Sequence, residues 1–166
     1  MHNFPMAYLI SFRCYGTWLH GDVRGSMDRR GHHIYGTPKI KPNHALAKKE
    51  AAQLKYSPKQ LDASRRAIIE KAIQEVCEHR GYRLLAFNVR TNHVHSVVSA
   101  SCKPEPVLNA FKAYATRHLR KADVLSSDEK IWARHGSTPY LWTERQVEQA
   151  IDYVLYGQGD ELPKFD

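Results

Sequence analysis

Hydrophobic and polar side chains alternate along residues 6–14, which predicts a β-strand because successive strand side chains point to opposite faces. The apolar positions on one face are Tyr8, Ile10, Phe12 and Cys14. Residues 82–89 and 93–100 are two further apolar runs of strand length, separated only by Arg90, Thr91 and Asn92. So short a connection predicts that they pair as a β-hairpin. A last short strand is predicted at residues 140–142.

Three segments instead carry apolar residues at helical spacing. The first begins at a predicted capping box, with Ser57 as the N-cap, Pro58 at the first helical position and Gln60 three residues after the cap, and it stops at Gly81. The second runs from about 104 to 123. The third follows another capping box, Thr143 to Gln146, and ends at Gly157.

The elements therefore follow one another as strand, helix, strand, strand, helix, strand and helix. This order predicts an α+β fold of the ferredoxin-like, split βαβ type, in which helices pack on one face of an antiparallel sheet and a C-terminal helix closes the chain. We expect one domain over residues 1–166. Residues 158–166 are predicted to form a loose polar tail.

Residues 15–56 break this periodicity. Glycine and proline punctuate the segment, basic residues outnumber acidic ones, and a short helix is predicted only at about 45–54. A long irregular segment is typical either of a substrate-binding excursion or of a solvated loop, and the pattern does not separate the two. If the segment contacts a nucleic acid, Arg29 and Arg30 are the predicted phosphate contacts, and Trp18 can stack on an unpaired base.

Charge and composition limit the classes of binding partner that are expected. The 166 residues carry a formal net charge of +8, with a pI near 9.5, which favours a polyanionic partner such as a nucleic acid. The sequence contains no run of about 18 apolar residues, so neither a transmembrane helix nor a membrane partner is expected. The N-terminus lacks a secretory pattern and the three cysteines are widely spaced, so a cytoplasmic location with reduced thiols is predicted.

Two pairs of side chains suggest a reactive site. His93 and His95 are two residues apart on a predicted strand and therefore share a face, whereas Tyr114 and His118 are four apart on a predicted helix and share another. If that helix covers that strand face, three histidines surround one point with a phenol beside it, as in a metal site with a nucleophile. The alternative is a pair of hydrogen-bonded strand histidines near a packed tyrosine.

The segment Asn92-His93-Val94-His95, together with Phe111-Lys112 and Tyr114 on the next helix, resembles the single-tyrosine HUH transposases. The similarity is greatest to the REP-associated and related insertion-sequence transposases of bacteria. It extends over most of the chain, although Thr91 stands where family members usually have proline.

The resemblance implies a single-stranded DNA endonuclease and strand transferase acting at DNA hairpins. A divalent cation, Mg²⁺ or Mn²⁺, is expected on His93, His95 and His118, and Tyr114 is expected to attack a phosphodiester and become 5′-phosphotyrosine. His118 replaces the usual glutamine or asparagine, and three imidazoles are softer than Mg²⁺ prefers. The predicted contacts to flanking phosphates are Lys112, Arg117 and Lys121. No other cofactor is expected.

Three other functions remain open at this point. The first is a domesticated protein that binds a DNA hairpin without cutting it. The others are a ferredoxin-like RNA-binding domain and a metal-dependent hydrolase that uses bound water. The sequence is equally compatible with a monomer and with a homodimer.

Overall fold

The computed structural model describes residues 3–16, 44–45, 48–49 and 59–162. The predictions for Trp18, Arg29 and Arg30 lie outside these residues, as do most of the 15–56 segment and residues 163–166 of the predicted tail. Within the described part, each helix is too short or too polar to cross a lipid bilayer.

Four strands form one antiparallel sheet in the order β2-β3-β1-β4, and three helices pack on it. This is the strand order of a ferredoxin-like fold, so the predicted α+β class is confirmed. The elements are β1 (Ala7–Arg13), α1 (Ala63–Arg80), β2 (Arg83–Val89), β3 (His93–Ser99), α2 (Pro104–Lys121), β4 (Tyr140–Leu141) and α3 (Glu144–Tyr156).

The two faces of the sheet are covered by different helices. Tyr8, Ile10 and Phe12 of β1 lie opposite Val98, Ser96 and Val94 of β3, on the face that α1 and α2 cover. Leu9 and Val97 point to the other face, where they pack against Ala150 and Val154 of α3. Because alternate strand residues face opposite ways, the residue parity on β3 decides which helix each side chain meets.

The first long helix begins later than its sequence predicts. Its N-cap is Asp62, whose carboxylate accepts a hydrogen bond of 2.9 Å from the backbone N–H of Arg65. The prediction that this helix starts at residues 57–58 is therefore wrong, while Ser57 itself lies outside the described residues. The backbone N–H groups of Lys59 and Leu61 bond instead to loop carbonyls, at 3.0 and 2.6 Å, which holds residues 59–62 out of helical geometry.

The other predicted helix ends are closer to the structure. Gly81 ends α1 with φ of 72°, a left-handed conformation that glycine adopts without steric cost. Thr143 and Gln146 form the predicted capping box of α3, with both of its hydrogen bonds present. This box fixes where α3 starts, and hence which of its residues reach the sheet.

Candidate active site

His93 and His95 project from the sheet face that α3 covers. They lie opposite Arg13 and Ser11 on β1, and their rings make an edge contact with centroids 4.7 Å apart. His95 is only 6% exposed, whereas His93 is partly open to solvent. The prediction that the two imidazoles share a strand face is confirmed.

Tyr114 and His118 lie on the opposite side of the sheet. Their helix, α2, packs on the Val94 and Val98 face, and His118 Nε2 lies 3.1 Å from a carboxylate oxygen of Glu75 on α1. The prediction that Tyr114 and His118 join the two strand histidines in one site is therefore wrong. The cause is parity: α2 covers the even-numbered residues of β3, and both histidines are odd-numbered.

The phenol that does reach the histidines is Tyr153 of α3. Its ring makes an edge contact with the His95 ring, with centroids 5.3 Å apart and an interplanar angle of 61°. Ala150 and Val154 anchor this helix in the core, and the side-chain amide of Asn88 donates to the Val154 carbonyl at 3.0 Å. Because Ala150 precedes Tyr153 and Val154 follows it, their packing in the core holds the Tyr153 ring beside His95.

Gln158 follows α3 and turns its side chain back towards the sheet. Its amide nitrogen donates to the Tyr153 carbonyl at 2.9 Å, which orients the amide, and its Oε1 lies 3.2 Å from His93 Nε2. Nearby, a guanidinium nitrogen of Arg90 donates to the Asp160 carbonyl at 2.8 Å. These bonds place an amide oxygen, two imidazoles and a phenol on one patch.

A contact to the Nδ1 atom orients each of the two imidazoles. His93 Nδ1 lies 2.6 Å from the side-chain oxygen of Asn92, and His95 Nδ1 lies 2.5 Å from the hydroxyl of Ser11. The Asn92 oxygen only accepts, so Nδ1 of His93 donates to it, and His93 Nε2 faces a second oxygen, that of Gln158. In a neutral ring with its proton on Nδ1, Nε2 would present its lone pair on this side, as a metal ligand does.

The donor set of this patch is unlike the predicted one. Among the described residues, no group of three or more histidines, cysteines and acidic residues is placed to hold a metal ion. The third donor next to His93 is instead the Gln158 amide. Two imidazoles and an amide oxygen are a harder set than three imidazoles, and they suit Mg²⁺ or Mn²⁺ better.

The three predicted phosphate contacts on α2 also lie away from the histidines. Lys112 donates to the backbone carbonyls of Ala133 and His135, at 3.0 Å to the first. Burial, followed by the charges of Arg13 and Lys130, lowers the pKa of Lys112 to about 8. Lys112 therefore stabilises the segment before β4. Arg117 and Lys121 are exposed, but on the sheet side opposite His93.

A family model described as transposase, IS200 like, matches residues 51–147, which is more than half of the chain. The chain belongs to the IS200-like transposase family. The matched region contains His93 and His95 and ends before Tyr153 and Gln158. No curated protein matches this chain.

Solved structures support the same fold for this IS200-like transposase. One of four matching chains is the REP-associated tyrosine transposase bound to a REP hairpin. It is 13% identical, with a TM-score of 0.50, over 93% of this chain and 67% of that one. At this identity the similarity shows the fold alone.

Sequence reasoning missed both Tyr153 and Gln158. The available signal was the alternation along β3: if α2 covers Val94 and Val98, the histidines must face the other side of the sheet, where the helix after β4 is the remaining predicted element. Tyr153 then lies one residue before the buried Val154, and Gln158 directly after the terminating Gly157.

Proposed function

We propose that this chain is a metal-dependent single-stranded DNA endonuclease and strand transferase whose nucleophile is Tyr153. The observation that supports this most is the convergence of Tyr153, Gln158, His93 and His95 on one sheet face. Membership of the IS200-like transposase family supports DNA cleavage and joining as the reaction class. Tyr114, packed on the other face, has no part in this proposal.

The residues present suit one divalent cation. Nε2 of His93 and His95 and Oε1 of Gln158 would hold it, because the Nδ1 atoms are engaged by Asn92 and Ser11. Adjacent ligands of an octahedral Mg²⁺ or Mn²⁺ are about 3 Å apart. The 3.2 Å between His93 Nε2 and Gln158 Oε1 fits that spacing. When bound, the cation would polarise the scissile phosphate and neutralise charge on its oxygens.

The chain supplies the nucleophile and its placement. The Tyr153 hydroxyl attacks phosphorus, the Tyr153 Oη–P bond forms, and the bond from phosphorus to the 3′-oxygen breaks. The phenol proton leaves to solvent, and the departing 3′-oxygen takes up a proton, which leaves a 5′-phosphotyrosine and a free 3′-hydroxyl. With an ordinary pKa near 10, a phenol is also a good leaving group, so the step is reversible and suits strand transfer.

The proposed substrate is a DNA hairpin with single-stranded flanks. The net charge of +8 favours a phosphate-rich partner. The solved transposase of similar fold is bound to a REP hairpin, which supports the same substrate class here. All four site residues come from one chain, so the proposed site needs no second subunit.

The competing functions make different demands on the structure. A ferredoxin-like RNA-binding domain stacks bases on an uncovered sheet face, whereas helices cover both faces here. A hairpin-binding protein that does not cut needs no nucleophile. The contact of the Tyr153 ring with the His95 ring supports the cutting function, and a cleavage assay separates the two.

Cleavage of labelled hairpin oligonucleotides with single-stranded flanks, with and without Mn²⁺ or Mg²⁺, tests the proposal. We expect a metal-dependent covalent protein–DNA band that disappears in Tyr153→Phe and persists in Tyr114→Phe, the matched control on the opposite face. Cleavage that survives Tyr153→Phe without an adduct would indicate hydrolysis by water. Binding without cleavage in the wild type would leave a hairpin-binding protein.

A further inference from the structure

Gln158, the amide of the candidate site, lies between two glycines in the segment that follows α3. Gly159 has φ of 88°, in the left-handed region, and a Cβ on Gly157 would lie 2.8 Å from the Tyr153 carbonyl oxygen. Glycine has the widest choice of backbone conformations and loses the most entropy when one of them is fixed. The position of the Gln158 amide therefore depends on contacts that hold this segment on both sides of it.

One hydrogen bond holds the segment before Gln158, and another holds it afterwards. Before it, the Gly157 N–H donates to the Tyr153 carbonyl at 3.0 Å, which extends the end of α3. After it, the Arg90 guanidinium donates to the Asp160 carbonyl at 2.8 Å. The second bond joins residues 70 positions apart, so it ties the segment to the turn between β2 and β3.

Arg90 is itself held at that turn. Its backbone N–H donates to the His93 carbonyl at 2.8 Å, so the guanidinium and the first imidazole leave one short stretch of backbone. Burial, and then the charge of the buried Arg66, lower the pKa of Arg90, whereas the Asp160 carboxylate raises it. Repulsion from Arg66 and attraction to Asp160 both favour the observed contact with the segment after α3.

We propose that Arg90 is a positioning residue, which holds Gln158 Oε1 at the cation site by binding the Asp160 carbonyl. Gln158 Oε1 lies 3.2 Å from His93 Nε2. The Arg90 bond thus closes a ring of contacts that runs from the turn through Asp160 and Gln158 back to His93. If this bond is lost, the two glycines let the backbone of Gln158 turn away from the imidazole. The proposal rests on the proposed function in taking Gln158 as a ligand of a divalent cation.

Charge alone gives the opposite expectation for the loss of Arg90. Its guanidinium is a cation close to a proposed cation site, so its removal would strengthen Mn²⁺ binding by relieving repulsion. A positioning role predicts weaker binding, because a partner that orients a ligand has been removed. The sign of the change in Mn²⁺ affinity therefore separates the two effects.

The test measures Mn²⁺ affinity without DNA, from the electron paramagnetic resonance signal of free Mn²⁺. The proteins are wild type, Arg90→Met, Gln158→Leu and the double variant of these two substitutions. Asp160→Asn is the matched control, because it removes the carboxylate and keeps the backbone carbonyl that accepts from Arg90. Melting temperatures establish that each protein is folded.

We expect Arg90→Met to weaken Mn²⁺ binding by about tenfold or more, as for loss of a residue that orients a metal ligand. Asp160→Asn should change the affinity much less. In the Gln158→Leu background, Arg90→Met should have little further effect, because Arg90 acts through Gln158 and the two losses are not additive. A purely structural role for Arg90 would lower the melting temperature in both backgrounds without this coupling.

Unchanged or tighter Mn²⁺ binding by Arg90→Met would overturn the inference, as would an equal loss in the wild-type and Gln158→Leu backgrounds. An equal loss in Asp160→Asn would assign the effect to the carboxylate and overturn it too. A wild type that binds no Mn²⁺ would contradict the proposed metal site together with this inference. By contrast, Arg90-dependent Mn²⁺ binding in a protein that never cleaves DNA would support the inference and contradict only the proposed chemistry.

Discussion

Replacing Ser11 by alanine tests whether His95 is oriented as a metal ligand. The Ser11 hydroxyl lies 2.5 Å from His95 Nδ1, and a histidine that binds a metal through Nε2 carries its proton on Nδ1 and donates it. With His95 only 6% exposed, water replaces that acceptor poorly. Loss of such a contact costs about 10- to 100-fold in metal affinity. This corresponds to about 1.4–2.7 kcal/mol.

Folding stability should change less than metal affinity. A neutral hydrogen bond contributes about 1 kcal/mol net, which lowers the melting temperature of a chain of this size by about 2–4 °C. The control is Ser96→Ala. Ser96 is buried on β3, the strand that carries His95, but it points to the opposite face of the sheet. Its hydroxyl donates to the Ile10 carbonyl at 3.3 Å. Ser96→Ala should reduce stability by a similar amount and leave metal affinity unchanged.

The assay is the rise in melting temperature of each protein over a Mn²⁺ titration, because a ligand that binds only the folded state stabilises it in proportion to the logarithm of its concentration over Kd. We expect the Ser11→Ala curve to shift to about 10- to 100-fold higher Mn²⁺. If Ser11→Ala and wild type give superimposable curves, or if Ser96→Ala shifts equally, His95 is not a ligand oriented by Ser11.

Three other outcomes can be measured. Gln158→Leu should weaken Mn²⁺ binding in the same titration by removing an oxygen donor, whereas Gln158→Glu should strengthen it; the opposite order would exclude residue 158 as a ligand. Gly136→Ala should lower the melting temperature, because a Cβ would lie 2.6 Å from the Ser11 carbonyl oxygen and about 3 Å from Leu108; an unchanged melting temperature contradicts this. The folded-state pKa of Lys112, about 8, is below its ordinary value of 10.5, so native Lys112 loses its proton first and this group's contribution to stability rises with pH between these values. The free energy of unfolding of wild type minus that of Lys112→Met, measured by denaturant titration, should therefore increase from about pH 8 to pH 10.5. A difference that stays constant with pH would place the Lys112 pKa near its ordinary value.

The sheet and its order follow from short-range patterns in the sequence. Alternation in β1, the three-residue link between β2 and β3, and the capping box at Thr143 each depend on neighbouring residues, and the structure confirms them. The late start of α1 depends instead on hydrogen bonds from Lys59 and Leu61 to distant loops, which no local pattern encodes.

The site shows where local patterns stop being informative. That His93 and His95 share a face follows from strand geometry, but which helix covers that face depends on how the whole sheet is buried. The Tyr114 prediction assumed that the next helix covers it. In the structure Val94 and Val98 of β3 face that helix, and the histidines face Tyr153, nearly 60 residues further along the chain than His95.

Lys112 illustrates a second limit. A cation on a helix of a basic protein suggests a phosphate contact, yet this ammonium satisfies the Ala133 and His135 carbonyls. Those carbonyls belong to an irregular segment whose path the sequence does not reveal. Burial, rather than charge, decides its role.

The central claim is that Tyr153 forms the covalent bond to DNA, and mapping the linked tyrosine tests it most directly. The adduct would be trapped with a hairpin oligonucleotide and Mn²⁺, digested with nuclease and trypsin, and sequenced by tandem mass spectrometry. Trypsin releases Tyr114 in the peptide 113–117 and Tyr153 in the peptide 146–164, where fragmentation separates it from Tyr156. The account predicts a nucleotide on Tyr153. A nucleotide on Tyr114 or Tyr156 would contradict it.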